Sequence, residues 1–139
     1  MFSGMSRHNV DAKGRIVMPA KFREQLGETF KIAIGFNSKC VQVMSEQEYE
    51  RIAKKIMEMP GAQANAMRYE FNVTVEDVTP NAQGRFVIPP ELRKSCQLDG
   101  EVLVLGVINR VEIWNKDIYE AFVVPQREIL AQAMDDAVF

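Results

Sequence analysis

Asn9-Val10-Asp11-Ala12-Lys13-Gly14-Arg15-Ile16-Val17-Met18-Pro19-Ala20-Lys21-Phe22-Arg23-Glu24-Gln25 decides the fold, because the chain repeats it 70 residues later as Thr79-Pro80-Asn81-Ala82-Gln83-Gly84-Arg85-Phe86-Val87-Ile88-Pro89-Pro90-Glu91-Leu92-Arg93-Lys94-Ser95. Six of the 17 aligned pairs are identical: Ala12 with Ala82, Gly14 with Gly84, Arg15 with Arg85, Val17 with Val87, Pro19 with Pro89, and Arg23 with Arg93. The same shift lays Val41-Gln42-Val43-Met44 over Val111-Glu112-Ile113-Trp114, and Tyr49 over Tyr119. Register kept over so much chain marks two copies of one fold unit.

Each copy reads as strand, turn, strand, helix, strand, strand, closed by a further helix. Gly14 and Gly84 mark tight turns. Each precedes a short apolar strand, Ile16–Met18 or Phe86–Ile88, that stops at a proline, a residue unable to donate to a ladder but suited to a first helical position. Phe22 with Leu26, and Leu92 with Cys96, fall four apart on the inward face of a short helix, and Gly27 closes the first of these. Phe30–Gly35, apolar at alternate positions, and Val102–Leu105, apolar throughout, follow as strands. Ser45 with Glu48 forms a capping box, and Tyr49, Ile52, Ala53, Ile56 and Met57 trace a helical stripe that ends at Met59-Pro60-Gly61. Ala62–Phe71 reads as another helix, leading to an alternating strand at Phe71, Val73 and Val75. Asn115 caps the corresponding second helix. Pro125 is expected to interrupt it, leaving Arg127–Val138 as a terminal amphipathic helix with Ile129, Leu130, Ala133 and Met134 on its apolar side. The units are thus residues 1–60, a helical connector at 61–72, a second unit at 73–125, and a C-terminal helix at 126–139.

Composition narrows the function. At 139 residues, with 47% hydrophobic and 26% charged, the chain has ordinary material for one buried core and is not a disordered segment. No apolar run reaches the 18 or more residues of a membrane helix, and the N-terminus lacks a signal-like stretch, so the chain is expected to be cytoplasmic. Two cysteines, Cys40 and Cys96, and one histidine, His8, are too few for a disulfide framework or a zinc site. No nucleophile elbow, phosphate-binding loop or recurring carboxylate pair is present, so no enzyme activity, cofactor or small-molecule substrate is expected. Net charge is −2, but residues 1–24 carry Arg7, Lys13, Arg15, Lys21 and Arg23 against Asp11 and Glu24, whereas residues 95–139 hold three basic against eight acidic residues. That asymmetry concerns partners rather than fold.

Binding is therefore the function to seek, and the repeated Gly-Arg is where to seek it. Asp11 and Asn81 have short side chains that bond to backbone two residues on, so Asp11-Ala12-Lys13-Gly14-Arg15 and Asn81-Ala82-Gln83-Gly84-Arg85 read as turns presenting Arg from a stable base. One reading pairs the arginines internally, with Asp11 available to Arg15, as surface ion pairs of little energetic value. The other takes Arg7, Lys13, Arg15 and Arg85 to phosphates and base edges, as β-ribbons do in a major groove, with Asn9 and Gln83 suited to adenine. Lys21 and Arg23 read as a solvated face or a second phosphate contact.

Met1-Phe2-x-Gly4, Asp11-x-Lys13-Gly14-Arg15 with Ile16-x-x-Pro19, Gly84-Arg85-x-x-Ile88-Pro89-x-x-Leu92-Arg93 and Glu112-x-Trp114, in this order, resemble the MraZ family of bacterial transcriptional regulators over nearly the whole chain. The resemblance implies an α+β, β-rich fold of two pseudo-symmetric AbrB-like swapped-hairpin (double-split β-barrel) modules with short flanking helices. It also implies a homo-oligomer closed into a ring. That ring would bind double-stranded DNA at repeated short sites upstream of the division and cell-wall gene cluster, as a nucleoid-associated repressor whose weak single contacts are multiplied by avidity. The family's DxxxR signature falls on Asp11 and Arg15 and, in the second copy, on Asn81 and Arg85, where asparagine removes the carboxylate; Arg15 is accordingly weighted above Arg85. The DNA-binding set is Arg7, His8, Asn9, Lys13 and Arg15 with Gln83 and Arg85, and Asp11, Gly14, Asn81 and Gly84 stabilise the turns. The alternative is a structural or protein-interaction assembly module whose arginines form inter-subunit salt bridges.

Overall fold

A computed structural model describes residues 1–137. The first copy contributes strands β1 (Met5–Val10) and β2 (Arg15–Val17), helix α1 (Ala20–Leu26), strands β3 (Phe30–Ile34) and β4 (Val41–Ser45), and helix α2 (Glu46–Glu58). Helix α3 (Gly61–Ala66) leads to the second copy, which contributes β5 (Glu76–Val78), β6 (Arg85–Val87), α4 (Pro90–Ser95), β7 (Gly100–Gly106), β8 (Val111–Asn115) and α5 (Lys116–Asp136). The fold is α+β, with an antiparallel sheet in the order β1-β7-β8-β4-β3-β5 and a separate two-stranded ribbon of β2 and β6.

The two copies interlock. β1 pairs with β7, β5 with β3, β2 with β6 and β4 with β8, so each of these pairings joins a strand of one copy to a strand of the other. In the ribbon Ile16 faces Phe86, and in the centre of the large sheet Gln42 faces Glu112. Both pairs are 70 residues apart, which places a pseudo-two-fold axis through them. The repeat seen in the sequence is thus a rotation in space.

One face of the large sheet packs against the ribbon, α1 and α4. Val10, Ile16, Met18, Phe22, Phe30, Val43, Phe86, Ile88, Leu92 and Val104 are all buried in that cluster. The opposite face is covered by the two closing helices: Met44 meets Ile52, Ile56 and Phe71 under α2, and Trp114 meets Tyr119 and Phe122 under α5. Phe2 plugs the main core, edge-on to Phe22 at 5.9 Å, and exchanges two backbone hydrogen bonds with Ile108. This explains the opening Met-Phe-x-Gly structurally.

The 70-residue shift is not uniform. Phe30 pairs with Ser45, but Val102, not Gly100, pairs with Asn115, so β7 follows β3 by 72 positions. Two extra residues before β7 are recovered in the following turn, which spans 107–110 instead of 35–40.

Three expectations are corrected. Of the strand expected at Phe71, Val73 and Val75, the first two positions are helical and only Val75 is extended: Met67–Phe71 forms a wide π turn and Asn72–Thr74 a 3₁₀ turn. Phe71 is drawn into the α2 cluster while Val73 stays 66% exposed, and Thr74 Oγ1 donates to the Phe71 carbonyl and accepts from the Ile34 N–H at 3.0 Å. Tertiary burial here overrides a two-residue period. Second, Pro125 does not interrupt α5, which runs for 21 residues and is not a short flanking helix. A proline removes one helical bond and crowds the carbonyl four residues back; that position is Ala121, which is exposed, and Gln126, Arg127 and Glu128 directly after the proline are good helix formers. Of the expected Arg127–Val138 helix, Val138 lies outside the described residues, as does Phe139. Third, Met57 of the α2 stripe is 69% exposed, beyond the reach of the core that buries Ile52 and Ile56. Both N-caps form, with Ser45 Oγ accepting from the Glu48 N–H at 3.1 Å and Asn115 Oδ1 from the Ile118 N–H at 3.0 Å. The box at Ser45 is only half closed, because the Glu48 carboxylate accepts from Arg51 Nε instead of turning back to Ser45.

Candidate nucleic-acid interface

The two turns are built alike. In the first, Asp11 Oδ1 accepts from the backbone N–H groups of Lys13 and Arg15, both at 2.9 Å, and the Gly14 N–H donates to the Asp11 carbonyl at 2.9 Å. In the second, Asn81 Oδ1 accepts from Gln83 and Arg85 at 3.1 and 2.9 Å, and Gly84 donates to the Asn81 carbonyl at 2.9 Å. Gly14 and Gly84 sit at φ +80° and +83°, a backbone conformation natural to glycine. Their carbonyls cross between copies, Gly14 accepting from the Ile88 N–H and Gly84 from the Met18 N–H, both at 2.9 Å. Each turn is therefore fastened to the other copy's strand.

Alternation then sets the outer surface. Ile16 and Phe86 face the core, so Arg15, Val17, Arg85 and Val87 face outward, with Arg15 directly across from Val87 and Arg85 across from Val17. Exposed Lys13 and Gln83 lie in the turns at opposite ends of this ribbon. Two arginines thus flank the pseudo-two-fold axis on one outward face.

The copies differ in what holds those arginines. Arg15 Nε donates to Asp11 Oδ2 at 2.6 Å, with both side chains about two-fifths exposed. The Arg15 backbone N–H foremost, with the Arg15 guanidinium and Lys13 N–H adding to it against some desolvation, lowers the Asp11 carboxyl below its ordinary value. Asn81 offers no second acceptor oxygen, and among the described residues no carboxylate pairs with exposed Arg85. Internal pairing therefore applies to the first turn alone.

The sequence set as a whole is split by the fold. Arg7 and Asn9 stand opposite Leu103 and Glu101 on β7, the α5 side of the large sheet, whereas the ribbon lies on the other side. Arg7 Nη1 lies 3.6 Å from Glu101 Oε1. His8 turns to the opposite face of β1 from Arg7 and Asn9, its Nε2 2.9 Å from Ser6 Oγ, and desolvation lowers its pKa below the ordinary imidazole value. The contiguous 7–15 segment does not form one surface, because successive strand residues point to opposite faces.

Arg23 and Arg93 have a role that reading along the sequence missed. Arg93 donates to Asp99 Oδ1 at 2.6 and 3.0 Å and reaches the Ala12 carbonyl at 3.5 Å, lying over Gly14. Arg23 donates to the Met18 carbonyl at 3.2 Å and lies over Gly84. Each short helix therefore braces the other copy's turn. Arg23 is a brace, not a solvated face; Lys21 is exposed, reaching the Ser3 carbonyl at 3.3 Å. The visible signal was that Arg23 and Arg93 recur in register, but their targets lie across the copies.

Among the described residues no helix is long and apolar enough to cross a membrane. Comparison with known proteins identifies the family. The profile of the MraZ family, described as MraZ protein, putative antitoxin-like, matches residues 1–72 and again 75–138. The chain is 38% identical to the transcriptional regulator MraZ of Ligilactobacillus salivarius, over 88% of this chain and 86% of that protein. Identity is 37% to the namesake of Desulforamulus reducens, over 88% and 87%, and 36% to that of Paenarthrobacter aurescens, over 98% and 96%. With both halves matched and similarity extending nearly end to end, this chain belongs to the MraZ family, whose members are transcriptional regulators and not enzymes.

Proposed function

We propose that this regulator acts by binding double-stranded DNA in a sequence-specific manner through the outward face of the β2–β6 ribbon. The observation that carries the reading is the symmetric placement of Arg15 and Arg85 on that face, with Lys13 beyond one end. A two-stranded ribbon fits a major groove, arginine matches guanine with two parallel donors, and lysine neutralises phosphate. Gln83 stands beside Arg85 in the second turn; Arg7 and Asn9, on the α5 side of the large sheet, and His8, on β1 and not on the ribbon, are left out of this contact. The acidic net charge is no obstacle, because Asp99 beside the first turn is already paired with Arg93, and Asp117, Glu120, Glu128, Asp135 and Asp136 lie on α5, across the sheet from the ribbon.

The biological reading is a cytoplasmic, nucleoid-associated repressor of the division and cell-wall gene cluster, acting as a homo-oligomeric ring on repeated short sites. Ile129, Leu130 and Met134, 57–60% exposed on α5, support self-association because they offer apolar area left open among the described residues. The domain division 1–60, 61–72, 73–125 and 126–139 is kept as the working plan for variants.

Fluorescence anisotropy tests the DNA reading, with DNA from upstream of the protein's own gene and a shuffled duplex titrated at several salt concentrations. Tighter binding to the upstream DNA with a steep salt slope is expected, and Arg15→Ala should weaken it by about 1–3 kcal/mol per engaged site. Equal weak binding to both duplexes would overturn the reading. An assembly module with structural arginines would then be the better account.

A further inference from the structure

Resting on the DNA reading above, we propose that the two turns divide the contact: the first reads base edges with an Arg15 held in place by Asp11, and the second lands on the phosphate backbone with an unanchored Arg85. Asp11 is then a specificity-determining residue that acts by positioning Arg15.

The division follows from one oxygen. Both turns spend the Oδ1 of their first residue on the same two backbone N–H groups. Asp11 has a second acceptor left, and Arg15 Nε occupies it at 2.6 Å. Asn81 has an NH₂ group in that position, a donor that cannot accept from a guanidinium. Arg15 therefore loses rotameric freedom before any ligand arrives, while its two terminal nitrogens stay available. Paired terminal N–H donors match the O6 and N7 acceptors of guanine, and an arginine fixed in advance loses less entropy on binding. The same Asp11 carboxylate repels a phosphate placed against it. Arg85, exposed and without a carboxylate partner among the described residues, has the opposite character: its guanidinium is not held in one orientation and suits a contact that tolerates many geometries.

The braces repeat this asymmetry. Arg93, over the first turn, is tied to Asp99 by two hydrogen bonds. Arg23, over the second, is held by a single carbonyl. Two carboxylates stiffen the first turn and, among the described residues, none stiffens the second. Discrimination between bases needs fixed geometry, whereas phosphate attraction does not.

Two reciprocal substitutions test the division in the full-length protein: Asp11→Asn, which gives the first turn the residue that already closes the second, and Asn81→Asp, which supplies the missing acceptor. Anisotropy against the upstream and shuffled duplexes at several salt concentrations gives both the affinity ratio and the salt slope. Asp11→Asn should lower the upstream-to-shuffled ratio about tenfold, leaving binding to the shuffled duplex equal or tighter. Asn81→Asp should weaken both duplexes by the same factor and reduce the salt slope by about one per engaged subunit. Melting curves matching the wild type confirm that either effect is one of binding. A wild-type protein that discriminates, with an Asp11→Asn variant that discriminates equally well, overturns the division alone. An Asn81→Asp variant that loses the ratio instead of overall affinity overturns it too. A wild type that cannot tell the duplexes apart overturns the DNA reading and the division together.

Discussion

The first and second copies share a backbone plan and differ in how they are finished. At the turns, Asp11 fixes Arg15 while Asn81 leaves Arg85 unpaired among the described residues. Under the closing helices, Met44 packs in a mixed cluster with Ile52, Ile56 and Phe71, while Trp114 stacks among aromatic rings, edge-on to Tyr119 at 5.4 Å and against Phe122 at 4.8 Å. On the axis itself, Gln42 faces Glu112; the carboxylate accepts from Trp114 Nε1 at 3.0 Å and Arg110 Nε at 2.9 Å, while Gln42 Oε1 is buried without a partner. Duplication supplies a symmetric scaffold, and residues of different chemistry at equivalent places let its two ends behave differently.

The largest effect that separates the copies lies in the helix-covered layer. Trp114→Ala removes the anchor of the second copy and its bond to Glu112, and is expected to cost about 4–5 kcal/mol of stability; Met44→Ala at the equivalent place should cost about 3. Urea unfolding checks the order, and equal losses would mean that the two clusters bear equal weight.

The turn glycines come next. A side chain on Gly84 would approach Arg23 Nε to 2.7 Å and the Met18 carbonyl oxygen to 2.9 Å, whereas on Gly14 the nearest atom is the end of Arg93 at 3.1 Å. Both positions carry the left-handed cost, but only at Gly84 does rigid backbone stand in the way. Gly14→Ala should lose about 1–2 kcal/mol and Gly84→Ala about 3, read by the same unfolding curves. A larger loss at Gly14 would break the distinction between the end of a side chain, Arg93, which shifts by a few tenths of an ångström, and the Met18 backbone, which does not.

The smallest effect is a titration. With its folded-state value held below the ordinary 3.8, Asp11 contributes stability above that pH and loses it as pH falls through the lowered value. In an NMR titration the Arg15 side-chain Nε–H signal should move as Asp11 protonates, while the Arg85 signal, opposite an asparagine, stays in place. Parallel movement of both would show that the carboxylate is not what separates them.

Much of this fold was legible in the chain because repeats, glycines, prolines and caps act locally. The Gly-Arg turns, the strands ending at Pro19 and Pro89, and the Ser45 and Asn115 caps could be placed from spacing alone. What spacing could not show was non-local. The braces join Arg93 to residue 12 and Arg23 to residue 84, so they exist only once the copies interlock. The two-residue displacement of β7 is hidden because its gain and loss cancel before β8. Arg7 and Asn9 looked like neighbours of Arg15 because they are close in sequence, yet strand alternation and sheet order carried them to the α5 side. Phe71 kept a strand-like period but followed its aromatic ring into the α2 cluster.

The central claim, that the β2–β6 ribbon is the DNA-contacting face, is tested most directly by hydrogen–deuterium exchange of the full chain with and without the upstream duplex. Slowed exchange concentrated at residues 12–17 and 82–87, with the α5 side of the sheet unchanged, is the predicted result. Protection centred on β1 or α5, with the ribbon unaffected, would contradict it.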